Sequence, residues 1–311
     1  LWVTAGSNMA FSAIAQVICG AGAAEAAEVI LPVPYYFNHV MAIQLAGGLP
    51  VPVDAGLIPD LERLEAAITP RARAIVTVSP NNPSGVVIPQ RVLAGINALC
   101  ARRGLFHISD EAYGAFVYGD VPHWSPGSAT GSSAHTISLH SLSKAYGMAG
   151  WRVGYMAAPE QLTAALAKVQ DTVLICPPVP IQRAAVAALQ AGPAWVAPRV
   201  GALADRRRQL LAAVAEHQAK GLPVRLLAEP DGAFYALLEI TAGRGQLDAD
   251  TLMRRLVLEH RVAAVSGASF GLHRASHGLV LRLSYGLLDG ADLAEALRRL
   301  FFGIAEILHG I

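Results

Sequence analysis

The chain has 311 residues, enough for one large domain or two ordinary ones with a real apolar core. With 53% hydrophobic and 15% charged residues it has the composition of a globular enzyme, and a formal net charge of +1 gives no electrostatic reason to bind nucleic acid. The one compact basic run, Arg206-Arg207-Arg208, lies in an Ala/Leu stretch of helical pattern and reads as a solvated helix face.

Residues 1–24 carry no charge, but Thr4, Ser7, Asn8, Ser12 and Gln16 interrupt the run and no basic flank precedes it. It reads as a buried element, neither a signal peptide nor a membrane span. From there short apolar, β-branched runs alternate with Ala/Leu helical patterns. Strands are expected at 28–33, 49–53, 74–79, 105–109, 136–139 and 153–157, and helices at 8–19, 60–68, 90–103 and 160–172. Strands apolar throughout, alternating with helices, imply an α/β fold with a mostly parallel central sheet and helices on both faces.

After Cys176-Pro177-Pro178 the pattern changes. A long helical region at about 181–219 leads to strand-like runs at 224–228, 233–240, 262–265 and 278–284, with helices at 249–260 and 291–308. These form a smaller C-terminal α+β domain. The expected division is a large domain over 1–190 and a small one over 191–311 that includes the linking helix. Cys19, Cys100 and Cys176 are far apart and odd in number, which suits a reducing, cytoplasmic setting better than a disulfide framework. No Cys/His spacing suggests a metal site, and the ten histidines, being dispersed, read as surface or satisfied core residues.

In open α/β sheets ligands bind beyond the carboxyl ends of the strands. Three expected strand ends carry polar clusters: Ser79 to Pro83, Asp110 with Tyr113, and Ser141 to Lys144. A parallel sheet brings them to one rim. Only three of the 24 basic residues are lysines, and Lys144 follows an apolar strand and precedes AYGMAGW, poor company for a solvated charge. A lysine shielded from water can lose its proton and form a Schiff base with a carbonyl, which a guanidinium cannot do. An ordinary surface lysine is the plainer alternative.

Ser141, Ser143 and Lys144, followed by Gly150, Trp151, Arg152 and Gly154, resemble the cofactor-lysine signature of class I/II, aspartate aminotransferase-like enzymes. These are fold-type I enzymes that use pyridoxal 5′-phosphate (PLP). TAGSNMAF (4–11), PVPYYFNH (32–39), SPNNPSG (79–85), SDEAY (109–113), CPP (176–178), DGAFY (231–235) and RLSYG (282–286) also resemble family blocks, in family order and at family-like spacing. One block is weakly specific, but the set spans essentially the whole chain.

The resemblance implies roles residue by residue. Lys144 holds PLP as a Schiff base and then moves the proton between substrate and cofactor. Asp110 pairs with the pyridine nitrogen, where a carboxylate keeps the ring protonated and electron-withdrawing; a turn-forming aspartate is the alternative. Tyr113 and Asn82 bond the phenolic oxygen, although an Asn in NNPSG is also an ordinary turn residue. Tyr36 stacks on the pyridine or simply packs in the core. Ser7 and Asn8 cup the phosphate at a helix start or merely cap the helix. Ser141 and Arg152 complete the phosphate site, with a structural ion pair as the alternative for Arg152. Arg282 grips the substrate carboxylate or a protein carboxylate.

Family members carry several tens of residues before the TAGSN block, so an upstream piece is expected. The intact protein is expected to be a homodimer acting on an amino acid and a 2-oxo acid, with no nucleic-acid or membrane partner. The aromatic PYYFNH block is similar to enzymes taking aromatic amino acids, methionine or kynurenine. Alternatives are a PLP-dependent C–S lyase or decarboxylase on the same fold, or the PLP-sensing domain of a transcription regulator.

Overall fold

The computed structural model describes residues 1–20, 25–242, 247–273 and 278–310. The first half alternates strands and helices: β1 (Trp2–Thr4), α1 (Ser7–Cys19), β2 (Glu28–Pro32), α2 (Phe37–Leu45), β3 (Leu49–Val53), α3 (Leu61–Ala66), β4 (Ala72–Val78), α4 (Gln90–Arg103), β5 (Phe106–Asp110), β6 (Thr136–Ser141), α5 (Leu142–Ala145), β7 (Gly154–Ala157) and α6 (Thr163–Val173). The seven strands form one sheet in the order β1-β7-β6-β5-β4-β2-β3. From β3 to β6 all neighbours are parallel.

Helices cover both faces because successive side chains of a buried strand point opposite ways. In β2, Val29 and Leu31 join Phe11 and Ile14 of α1, whereas Ile30 between them joins Leu64 of α3 and Leu93 and Ile96 of α4. Full burial of each such side chain is worth about 1.5–3 kcal/mol. The uncharged N-terminal stretch supplies β1 and the buried face of α1, as expected for residues 1–20; residues 21–24 lie outside those described.

Three details differ from the sequence reading. β7 runs antiparallel to β6, and β1 antiparallel to β7, so one edge of the sheet is mixed. The link from β6 to β7, residues 142–153, holds only the single turn of α5 and no crossover helix. α2 was not expected, because it buries only His39 and Ile43 and so shows almost no apolar periodicity. The long helix α7 (Val179–Ala219) is broken at Gly192, whose φ of 66° is not helical. Pro193 follows, and a residue before proline avoids the α region.

The C-terminal part contains β8 (Val224–Leu226), β9 (Tyr235–Ile240), α8 (Ala249–His260), β10 (Val265–Ser266), β11 (Leu279–Ser284) and α9 (Gly290–His309). Its sheet has the order β10-β11-β9-β8 and is antiparallel throughout. Asp289 caps α9 by accepting from the amides of Ala291 and Asp292. Leu293, Leu297, Leu300, Phe301 and Ile304 then bury one stripe of that helix. The same core cluster reaches Tyr113, Phe116 and Tyr118 of the first half, so the small sheet is packed directly beside the end of β5. Among the described residues no helix is long and apolar enough to cross a membrane.

Candidate active site

The strand order reverses between β2 and β4, and the polar strand ends meet there. Ser7, Asn8, Tyr36, Asn82, Asp110, Tyr113, Ser141, Lys144 and Arg152 line a single cavity of about 130 Å³. Every residue expected to hold the cofactor is therefore in one place. Arg282, on β11, is outside that lining but joins it through Asn82, whose Oδ1 accepts from Arg282 Nη1 at 3.0 Å.

Lys144 sits in the single turn of α5, which Ser141 caps by accepting from the Ser143 amide at 3.2 Å. Ser141 thus keeps its own hydroxyl proton free to donate. The Lys144 amine lies 5.9 Å from the ring centres of both Tyr113 and Phe234. Burial, then the nearby positive charges of Arg282 and Arg152, hold its pKa below the usual lysine value. At a given pH more of it is the neutral nucleophile than an exposed lysine would supply.

Asp110 ends β5 and is 4% exposed. Its Oδ1 accepts from the Ala112 amide at 3.1 Å, and its Oδ2 lies 3.1 Å from His39 Nε2. His39 comes from α2, stacks on Phe11 with ring centres 4.0 Å apart, and is 2% exposed. Sequence reading missed it, treating the histidines as dispersed. Its signal lay inside PYYFNH, three residues after Tyr36, close to one helical turn later. The Tyr36 hydroxyl accepts from Asn38 at 2.9 Å, which fixes its ring at the cavity wall.

Asn81 and Asn82 divide the two roles available to NNPSG. Asn81 Oδ1 accepts from the Ser84 amide and hydroxyl at 3.0 and 2.7 Å and builds the turn. Asn82 faces the cavity, bridging Arg282 and the Tyr113 hydroxyl, the latter at 3.4 Å. Arg282 has its guanidinium 4.6 Å from the centre of the Tyr235 ring and 5.0 Å from that of Phe270. Its Nε is buried without a hydrogen-bond partner among the described residues. A buried unpaired guanidinium donor is costly and suits an anion yet to arrive.

At the other end, α1 begins at Ser7 with no side-chain cap, so its first amides are open to an anion. Arg152 lies against that end, donating to Ala149 O at 2.8 Å and Ala5 O at 3.2 Å. Among the described residues it has no carboxylate partner, and its φ of 52° marks a strained backbone held by those bonds. Gly154 explains the last position of G-W-R-x-G. A Cβ there would meet His140 O at 2.6 Å and the Gly6 backbone at 3.0 Å, so glycine lets β7 bring Arg152 to the helix start.

The sequence matches the family described as aminotransferase class I and II over residues 1–300. It is 33% identical to the aromatic aminotransferase ISS1 of Arabidopsis thaliana over 99% of this chain and 75% of that one. The solved aspartate aminotransferase of Thermus thermophilus with maleate superposes with a TM-score of 0.83 at 33% identity, covering 98% of this chain and 75% of that one. The aromatic aminotransferase of Pyrococcus horikoshii does so with a TM-score of 0.86 at 32% identity, covering 98% and 79%. The chain belongs to the class I and II aminotransferases.

This aminotransferase has the type I fold and uses PLP to move an amino group between an amino acid and a 2-oxo acid. Its cavity fits that group on three independent features. A buried carboxylate, Asp110, is held by the Ala112 amide and by His39; a half-buried amine, Lys144, has a lowered pKa; and an uncapped helix start lies beside an arginine that has no carboxylate partner among the described residues. When bound, PLP supplies the aldehyde that takes up the amino group and a ring that draws off the electrons of the broken Cα–H bond.

Proposed function

We propose that this aminotransferase holds PLP through Lys144, Asp110, Tyr113, Asn82, Tyr36, Ser7, Asn8, Ser141 and Arg152, and holds the substrate carboxylate through Arg282 with Asn82 and Tyr36 beside it. The convergence of those nine side chains on one cavity carries the reading. Lys144 is the proton carrier at the reacting carbon, because it is the amine with a lowered pKa at the cavity wall. Asp110 holds a negative charge toward the ring nitrogen, and Tyr113 donates to the phenolic oxygen. The start of α1, Ser141 and Arg152 bind the phosphate.

The preferred amino donor is aromatic. Phe37 and Phe270 lie 5.6 Å apart, and Phe234, Tyr235 and Tyr36 add ring surface near Arg282 and the cavity. Relatives named as aromatic aminotransferases support this preference, alongside others named for aspartate. The division at 190/191 is supported by core packing. Ile181 and Ala185 pack on Leu142 and Val153, whereas Val196 and Leu203, past the break at Gly192, pack with the small sheet. A homodimer is supported by Ile175, Val179, Val186 and Trp195, large apolar side chains left exposed on α7 and just before it. Three free cysteines fit the cytoplasmic setting.

The test is spectroscopic and then catalytic. Reconstituted protein shows the visible band of a lysine-bound cofactor, and Lys144→Ala abolishes it; an unchanged band in the variant refutes the assignment. Mixed with phenylalanine or tyrosine without an acceptor, the protein yields one equivalent of the 2-oxo acid and converts its cofactor to the amine form. Release of ammonia and pyruvate from a cysteine conjugate instead assigns a lyase. Faster conversion with aspartate than with aromatic donors overturns the preference. Sedimentation at micromolar concentration reads the dimer directly.

A further inference from the structure

We propose that Tyr235 is a positioning residue for Tyr113: its hydroxyl donates to the Tyr113 oxygen and thereby sets how strongly Tyr113 donates into the cavity. The inference rests on the cavity being the cofactor site. It concerns a residue that the family blocks contain, in DGAFY, without a role.

Hydrogen-bond counting leads to it. Tyr235 opens β9, is 7% exposed, and its hydroxyl lies 2.9 Å from that of Tyr113. Asn82 approaches the same Tyr113 oxygen at 3.4 Å. The orientation of that amide follows from Arg282, which can only donate, so the Asn82 oxygen faces Arg282 and its NH₂ faces Tyr113. A phenol has one proton to give and lone pairs to receive with. Asn82 therefore already donates to Tyr113. If Tyr113 gave its proton to Tyr235, none would remain for an oxygen in the cavity. With an anionic oxygen present, Tyr113 turns its proton there and the count closes only when Tyr235 is the donor in the pair.

The surroundings of Tyr235 favour that direction. The Arg282 guanidinium over its ring draws electron density from the phenol and makes its proton easier to share. Burial raises the pKa of Tyr235, and the hydrogen bond with Tyr113 and then the charge of Arg282 oppose that rise. Tyr113 is pushed well above the usual tyrosine value, by burial first and then by the Tyr235 contact, and so stays protonated as the donor to the cavity. Among the described residues the Tyr235 hydroxyl has no hydrogen-bond partner other than Tyr113. Two donors feeding one oxygen polarise its proton outward, the cooperative effect expected of a buried chain.

The experiment is a pH titration of the visible spectrum of the holoprotein, with Y235F, Y113F and the double variant. A weaker bond from Tyr113 leaves more charge on the phenolic oxygen, which then holds the neighbouring proton on Lys144 more tightly. The colour change therefore moves to higher pH, by about 0.5–1 unit in Y235F for the loss of one hydrogen bond. The Lys144 amine is also faced by Arg282 of β11, by Arg152 before β7, by Asp110 of β5 and by Tyr36 before α2; neither Phe substitution removes these. Y113F shifts it further, and adding Y235F to Y113F changes nothing more. Apoprotein melting within a degree or two of wild type shows that Y235F folds.

No shift in Y235F while Y113F shifts overturns the inference alone. The same increment from Y235F with or without the Tyr113 hydroxyl also overturns it, since Tyr235 would then act by another route. No shift in Y113F overturns the reading of the site itself.

Discussion

His39→Leu isolates the contribution of one buried hydrogen bond to this site. His39 Nε2 and Asp110 Oδ2 are 3.1 Å apart, and the two residues are 2% and 4% exposed. Leucine is close to histidine in volume, so the substitution removes the bond and leaves little void. A hydrogen bond to a charged group contributes about 1.5–3 kcal/mol. His39 Nδ1 is buried without a partner, and its removal returns part of that loss. The apoprotein should therefore unfold about 1.5 kcal/mol more readily in urea. Asp110 then keeps only the Ala112 amide, on Oδ1, and its other oxygen is free to turn from the cavity. Cofactor affinity, read by quenching of tryptophan fluorescence, should fall roughly tenfold, the equivalent of 1.4 kcal/mol. The decisive arm is Asp110→Asn: once the carboxylate is gone, His39→Leu should add little to the loss of affinity. An equal loss in both backgrounds, or wild-type affinity in the single variant, refutes the pairing as the reason His39 matters.

Gly6→Ala places a Cβ at a φ of 85°, 2.8 Å from Arg152 Nη2. The backbone penalty of about 1–2 kcal/mol should lower the melting temperature, and the displaced guanidinium should make the cofactor easier to dialyse away; unchanged retention would exclude Arg152 from phosphate binding. Glu111 tests linkage. Burial alone would raise its pKa, but the His123 bond, the nearness of His140 and the Ser125 bond outweigh that and hold it below its ordinary 4.5. A depressed carboxylate stabilises fully above its unfolded value and loses that contribution as pH falls through the folded one. Glu111→Gln should thus melt lower than wild type at pH 7, and the gap should close below about pH 4.5; a gap independent of pH contradicts it. Arg282→Lys keeps the charge but not the fork, so KM should rise about tenfold for both amino and oxo acids with less change in kcat. Equal losses in kcat and kcat/KM would assign Arg282 to the transition state instead.

Local pattern was enough for much of this protein. Apolar runs identified β2 to β6, helical periodicity identified α1, α4, α8 and α9, and a lysine placed after an apolar strand pointed to Schiff-base chemistry at Lys144. The motif spacings carried the family and brought nine cavity residues into view before any fold was seen. α2 escaped because two buried residues make no period, and the antiparallel edge escaped because pairing direction is absent from a strand's own composition. The partnerships that tune the site were also invisible, since they join distant positions: His39 to Asp110 across 71 residues, Tyr113 to Tyr235 across 122, and Asn82 to Arg282 across 200. Sequence determines which side chains are available and which faces they occupy. Only the packed sheets decide which hydroxyl, imidazole or guanidinium ends within hydrogen-bond reach of which acceptor, because a hydrogen bond depends on separations in space that neither periodicity nor composition encodes.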